Sequence, residues 1–176
     1  MERPGGAFEF GEKLTVVGRM LEPGDPAPVF TLECLDGPDG TVVPVGMADS
    51  QGAVRLLNVI NSIDTPVCHA ESRQWETRLA GLPGVRVYTV SMDLPFALAR
   101  WRAAQGVGHH LLSAHRDERF GRDYGVLIKE WRLLQRAVFV IDETDRIAHA
   151  EYVTDQWQEP DYDAGVAAVG SALHTG

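Results

Sequence analysis

The chain is poor in cysteine, with only Cys34 and Cys68 among 176 residues. So few thiols exclude a disulfide framework, and no Cys and His positions carry the spacing of a structural zinc site. Basic residues are also short: 16 Lys and Arg stand against 25 Asp and Glu, for a net charge of -9. A field of that sign disfavours nucleic acid and an anionic membrane surface, so neither is expected as a partner. Long hydrophobic runs are missing as well. The longest clean one, residues 137–141, is far too short to span a bilayer. The opening MERPGGAF lacks the basic start and apolar core of an export signal. A soluble, cytoplasmic protein is the expectation. No internal repeat, low-complexity tract, interdomain linker or glycine-rich phosphate loop is visible.

What is present suits one globular domain over residues 1–176, since a chain of this length that is 44% hydrophobic can bury a proper core. Apolar pieces at 8–10 and 14–17 flank Gly11-Glu12-Lys13 and predict an amino-terminal hairpin. After the breaker PGDPAP, residues 29–35 and 41–45 read as strands joined by the turn DGPDG. From residue 54 strands alternate with helices: a strand over 54–60, a helix over 67–82, a strand over 85–91 and a helix over 95–104. A short strand at 111–113, a helix around 117–124, a hairpin of 137–141 with 147–152 and a closing helix over 161–173 complete the reading. The fold class is α/β, a central mixed sheet with helices on both faces and the hairpin added in front.

Cys68 stands at the junction of a buried strand and a helix start, in NSIDTPVCHAESR. Backbone N–H groups are unpaired there and the helix dipole is positive, an environment that favours thiolate over thiol. Asp64 and Thr65 can cap the helix and Pro66 suits its first turn. Cys68, Ser72, Trp75, Leu79 and Leu82 recur at helical spacing, so the thiol points inward. Free cysteine is also among the most buried residue types, and a structural role fits the same spacing. If Cys68 is a thiolate, a peroxide suits it: attack on the weak O–O bond moves charge from sulfur to the leaving oxygen, and fixed donors must follow that charge. Thr65 offers a hydroxyl. Arg136, at the mouth of an apolar strand, offers a permanent cation, although a solvated strand end reads equally well. Arg73, five residues after Cys68, is on another helical face.

NSIDTPVC resembles the peroxidatic-cysteine motif of the peroxiredoxins, in particular the thiol peroxidase subfamily called atypical two-cysteine. PGDPAPVFTL, MDLPFA, RDYGV, RAVFVID and EPDYDA are similar to that subfamily too, in the expected order along nearly the whole chain. The resemblance implies a thioredoxin-like fold with an added amino-terminal hairpin, a homodimer, and reduction of hydroperoxides without metal or organic cofactor. It implies that Cys68 is the peroxidatic cysteine, Thr65 its hydroxyl partner and Arg136 the arginine that orients thiolate and peroxide. Arg73 matches a second arginine of many members.

The chain departs from this pattern twice. The proline that opens the family motif and shields the thiolate is Asn61 here. An amide there loosens the shielding or offers hydrogen bonds to sulfur or peroxide. The family's resolving cysteine falls at Arg102, so a disulfide to that helix is impossible and the sulfenic acid on Cys68 needs another reductant. A thioredoxin-like protein or a low-molecular-weight thiol would serve, and Arg102 would attract an acidic one such as glutathione. Cys34, in a strand away from the resolving position, is the only internal candidate for resolution, with a structural role as the plainer reading.

Other signals are set aside. His109, His110 and His115 read as a surface loop, because adjacent strand residues face opposite ways and no spaced carboxylate completes a metal set. Trp75, Trp101, Trp131 and Trp157 read as core or dimer-contact aromatics. The functional expectation is a hydroperoxide reductase recycled by an external thiol. A peroxide sensor that passes oxidation to a partner, and a member that has lost turnover, are the alternatives.

Overall fold

The structure, a computed structural model, describes residues 1–175. The expected hairpin forms from β1 (Glu2–Glu9) and β2 (Glu12–Val17). Its two-residue loop has Phe10 at φ 48 and Gly11 at φ 81, the doubly left-handed conformation that matches strand twist in tight hairpins. Then come β3 (Thr31–Leu35), β4 (Val42–Gly46), β5 (Val54–Val59), α1 (Pro66–Leu79), β6 (Val85–Ser91) and α2 (Pro95–Gln105). The chain continues through β7 (His110–Ser113), α3 (Arg119–Asp123), β8 (Leu127–Ile128), β9 (Leu133–Leu134), β10 (Ala137–Ile141), β11 (Ile147–Tyr152) and α4 (Tyr162–Leu173).

The central sheet has seven strands in the order β11-β10-β5-β6-β7-β3-β4. β5, β6 and β7 run parallel, and the flanking pairs are antiparallel, giving the mixed sheet of a thioredoxin-like fold. Alternation along β5 divides the core. Leu56 packs with Trp75 and Leu79 of α1 and Val169 of α4, while Leu57 and Val59 pack with Phe120 and Tyr124 around α3 on the other face. Two polar residues of β5 are nevertheless buried. Arg55 reaches Asp145 Oδ1 at 2.5 Å and Ser50 Oγ at 2.9 Å, so its charge is paired.

Three expectations change. The hairpin is half of a second, four-stranded sheet, β1-β2-β8-β9; β8 and β9 are two residues each and too short to show a period in sequence. α1 stops at Leu79 rather than 82, because the chain turns out at Gly81, φ 80, which leaves Leu82 exposed instead of on the buried stripe. The stripe contains Glu71 in addition to Cys68, Ser72, Trp75 and Leu79.

Candidate active site

Cys68 lies in the first turn of α1, just past the carboxyl end of β5, with no exposed surface. The loop before it is tied down by Asp93 after β6, which accepts from Ser62 Oγ at 2.8 Å, Ile63 N at 2.8 Å and Ser91 Oγ at 2.7 Å. Thr65 is the helix N-cap through its backbone, but neither its side chain nor that of Asp64 caps the helix as expected. The Thr65 hydroxyl instead donates to Ser62 O at 2.9 Å. Cys68 belongs to an apolar cluster with Ile60, Ile63, Leu98, Trp101, Val107 and Leu111.

Arg136 is the group that meets it. The side chain enters from the start of β10, is sealed from solvent, and donates from Nη1 to Cys68 Sγ at 3.3 Å. A buried guanidinium is tolerable when its charge is paired and most of its donors are used. Nη1 also reaches Glu71 Oε2 at 2.5 Å, and Nη2 donates to Gln156 O at 2.7 Å and Asn61 Oδ1 at 3.4 Å. Nε has no hydrogen-bond partner among the described residues. Burial pushes the Glu71 carboxyl up to about 8, with Arg136 opposing the shift. A cavity of about 70 Å³ opens beside these groups, lined by Asn61, Thr65, Pro66, Arg136, Gln156 and Trp157 among others.

Asn61 does not point an amide at the sulfur. Its Nδ2 donates to Leu134 O at 2.6 Å and Gln156 Oε1 at 3.0 Å while its Oδ1 receives Arg136, so it braces the arginine. Arg73 is exposed and reaches Gln105 Oε1 at 3.5 Å, on the outer face of α1 away from the thiol. Glu71 was not foreseen: a glutamate three residues after the cysteine reads as a solvated helix position until Arg136 is known to sit behind it.

Residues 23–150 match the AhpC/TSA family. The chain belongs to that family. These are peroxiredoxins, and the chain falls in their thiol peroxidase subfamily. It is 46% identical to the thiol peroxidase of Halalkalibacterium halodurans over 93% of this chain and 96% of that one. It is 43% identical to the thiol peroxidase of Bacillus subtilis over 90% and 92%. Among solved structures, the peroxiredoxin-like protein of Aquifex aeolicus superposes with a TM-score of 0.84 at 33% identity, over 94% of this chain and 96% of that one.

Arg102 stands where the resemblance puts a resolving cysteine. Arg102 is committed within the chain, to Val107 O at 3.2 Å, Gly108 O at 2.7 Å and Asp36 Oδ1 at 3.3 Å, and is no free anchor for an acidic thiol. Cys34 is not remote from that position, since it lines the same cavity as Arg102. It is nonetheless in another apolar cluster than Cys68: Cys34 packs with Leu112, and Cys68 with Leu111, adjacent residues of β7 that face opposite ways.

The histidines do not form a surface loop. His109 is buried between Glu76 Oε2 at 2.6 Å and Thr89 Oγ1 at 2.9 Å, and burial holds its ring below the ordinary value against the pull of Glu76. Thr89 continues through Asn58 to Ser72, whose hydroxyl donates to Cys68 O at 2.9 Å. Polar contacts thus run from Glu76 to the backbone of the reactive turn. Trp75 and Trp101 are core, Trp131 packs against the hairpin, and Trp157 is half-exposed at the cavity rim.

Proposed function

We propose that the chain is a thiol-dependent peroxidase, working as a single domain over residues 1–176, that reduces hydrogen peroxide and organic hydroperoxides at Cys68. The observation that carries this is the Arg136 Nη1 to Cys68 Sγ contact at 3.3 Å beside a cavity of molecular size. The Cys68 thiolate attacks one peroxide oxygen, an S–O bond forms with the sulfur electron pair, and the O–O bond breaks. The departing hydroxide or alkoxide takes a proton and leaves sulfenic acid on Cys68. Arg136 balances charge on sulfur, and its unpartnered Nε is a donor for the oxygen on which charge develops. Thr65 supplies a second donor once its hydroxyl turns from Ser62 O toward the substrate.

An external thiol then recycles the enzyme: one equivalent forms a mixed disulfide with Cys68 and releases water, and a second displaces Cys68 as thiol. Cys34 and Cys68 belong to different apolar clusters, which supports an external reductant over Cys34 even though Cys34 shares a cavity wall with Leu98, Val107 and Leu111 of the Cys68 cluster. We place the enzyme in the cytoplasm as a homodimer, consistent with its two buried unpaired cysteines and with Phe10, Leu94 and Phe96 exposed on its surface.

The test is mass spectrometry after stoichiometric peroxide on wild type, Cys68→Ser and Cys34→Ser, with turnover assays using dithiothreitol, glutathione and a thioredoxin. Sulfenate on Cys68 and multiple turnovers are expected. One oxidation with no thiol-driven turnover, followed by trapping on a specific protein, makes it a sensor. Oxidation of Cys68 no faster than a free thiol removes the peroxidase reading altogether.

A further inference from the structure

Between β3 and α2 lies a cavity of about 370 Å³, larger than the one at Cys68 and lined by Cys34, Asp36, Leu98, Arg102, Val107 and Leu111 among others. At its edge the end of β3 meets the start of β7. Cys34 Sγ is 3.8 Å from His110 Nδ1, and the same nitrogen is 3.2 Å from Asp36 Oδ2. The three atoms all lie within 4.8 Å of one another. We propose that Cys34, Asp36 and His110 form a binding site for a divalent zinc-class cation, separate from the peroxide-reducing centre.

The distances carry the argument. A tetrahedral zinc with bonds of about 2.3 Å to sulfur and about 2.0–2.2 Å to nitrogen and oxygen holds S and N roughly 3.6 Å apart and N and O roughly 3.4 Å apart. The observed S–N and N–O separations of 3.8 Å and 3.2 Å lie within tenths of an ångström of these values, and the remaining sulfur-to-oxygen separation, within 4.8 Å, closes to about 3.6 Å with a turn of the thiol or the carboxylate. Hydrogen bonding explains the cluster less well. At 3.8 Å the thiol is only a long, weak hydrogen-bond partner of the ring nitrogen, whereas a cation at the centre serves all three groups.

The surroundings fit. Arg102 Nη1 holds the other oxygen of Asp36 at 3.3 Å, which fixes the carboxylate with Oδ2 turned toward His110, as an outer partner orients a ligand. Cys34 is buried while the side chains of Asp36 and His110 are partly exposed, so the ion reaches the site from their side. Three protein donors leave a fourth position for water.

The test uses the full chain and Co²⁺ as a spectroscopic substitute for Zn²⁺. One equivalent is expected to give a sulfur-to-cobalt charge-transfer band with the visible bands of tetrahedral cobalt, both abolished by one equivalent of Zn²⁺. The bands persist in Cys68→Ser. Cys34→Ser and Cys34→Ala lose the charge-transfer band, and the partly exposed His110→Gln and Asp36→Asn weaken binding by at least about tenfold, the low end even for losing an outer partner. No charge-transfer band at stoichiometric Co²⁺, a band that survives both Cys34 variants, or one that vanishes in Cys68→Ser overturns the site.

Discussion

Glu71 Oε2 and Arg136 Nη1 lie 2.5 Å apart with both side chains sealed from water, and the same Nη1 is the atom that reaches Cys68. The protonation of one buried carboxyl therefore sets how much positive charge the sulfur and the incoming peroxide experience.

Burial pushes Glu71 up to about 8, against an ordinary value of 4.5. Below that pH the carboxyl is neutral and Arg136 presents its full charge; above it the carboxylate cancels part of that charge. Oxidation of Cys68 by peroxide is expected to slow above about pH 8 through an ionisation that Glu71→Gln removes, read as stopped-flow rates across pH 6–10. The sign for stability is the same. A carboxyl raised in the folded state stabilises most below its unfolded value and loses that contribution as pH rises through the folded one. Urea midpoints of Glu71→Gln should accordingly rise relative to wild type between about pH 4.5 and 8 and level off above that.

Arg136→Lys keeps a cation but cannot serve Cys68, Glu71, Gln156 and Asn61 together. The second-order rate with hydrogen peroxide should fall on the order of 10²-fold while the fold survives, as judged by circular dichroism. A rate within twofold of wild type contradicts the role assigned to the guanidinium.

Restoring the family proline should harm this chain. Asn61→Pro deletes the amide that satisfies Leu134 O and Gln156 Oε1 and braces Arg136. A loss of about 1–3 kcal/mol in denaturant unfolding is expected, together with slower peroxide reduction. Equal stability would mean that the arginine is held without Asn61.

Gly165→Ala in α4 tests the packing behind the site. A Cβ at that position would lie 2.7 Å from Cη2 of Trp75, itself fully buried against the sheet. The helix-propensity gain of about 1 kcal/mol is outweighed by overpacking, for a net destabilisation of about 1–2 kcal/mol in urea melts. Gly170→Ala, which meets nothing within 4 Å, should show the propensity gain alone.

The sequence was most readable where local pattern and burial agree. β6, β10 and β11 occupy the residues expected of them, because apolar strands bounded by turns carry their own signature. Cys68 and Arg136 were both marked, one by its place at a helix start and the other by its place at a strand mouth. Glu71 and His109 were not readable, since each is polar and its burial depends on a partner from another element: Arg136 for the first, Glu76 and Thr89 for the second. The meeting of Cys34, Asp36 and His110 was equally hidden, because it depends on where the end of β3 falls beside the start of β7.

Phe10 at the hairpin tip packs on Trp157 with ring centroids 5.0 Å apart, and Trp157 is one wall of the cavity of about 70 Å³ beside Arg136. That space holds roughly two water-sized bodies, enough for hydrogen peroxide, and an alkyl group would extend past the tryptophan toward the open side. The amino-terminal hairpin is therefore an outer rim, whose bulk is expected to bear on which hydroperoxides enter. Shortening or exchanging it would change selectivity while leaving the thiol and its arginine in place.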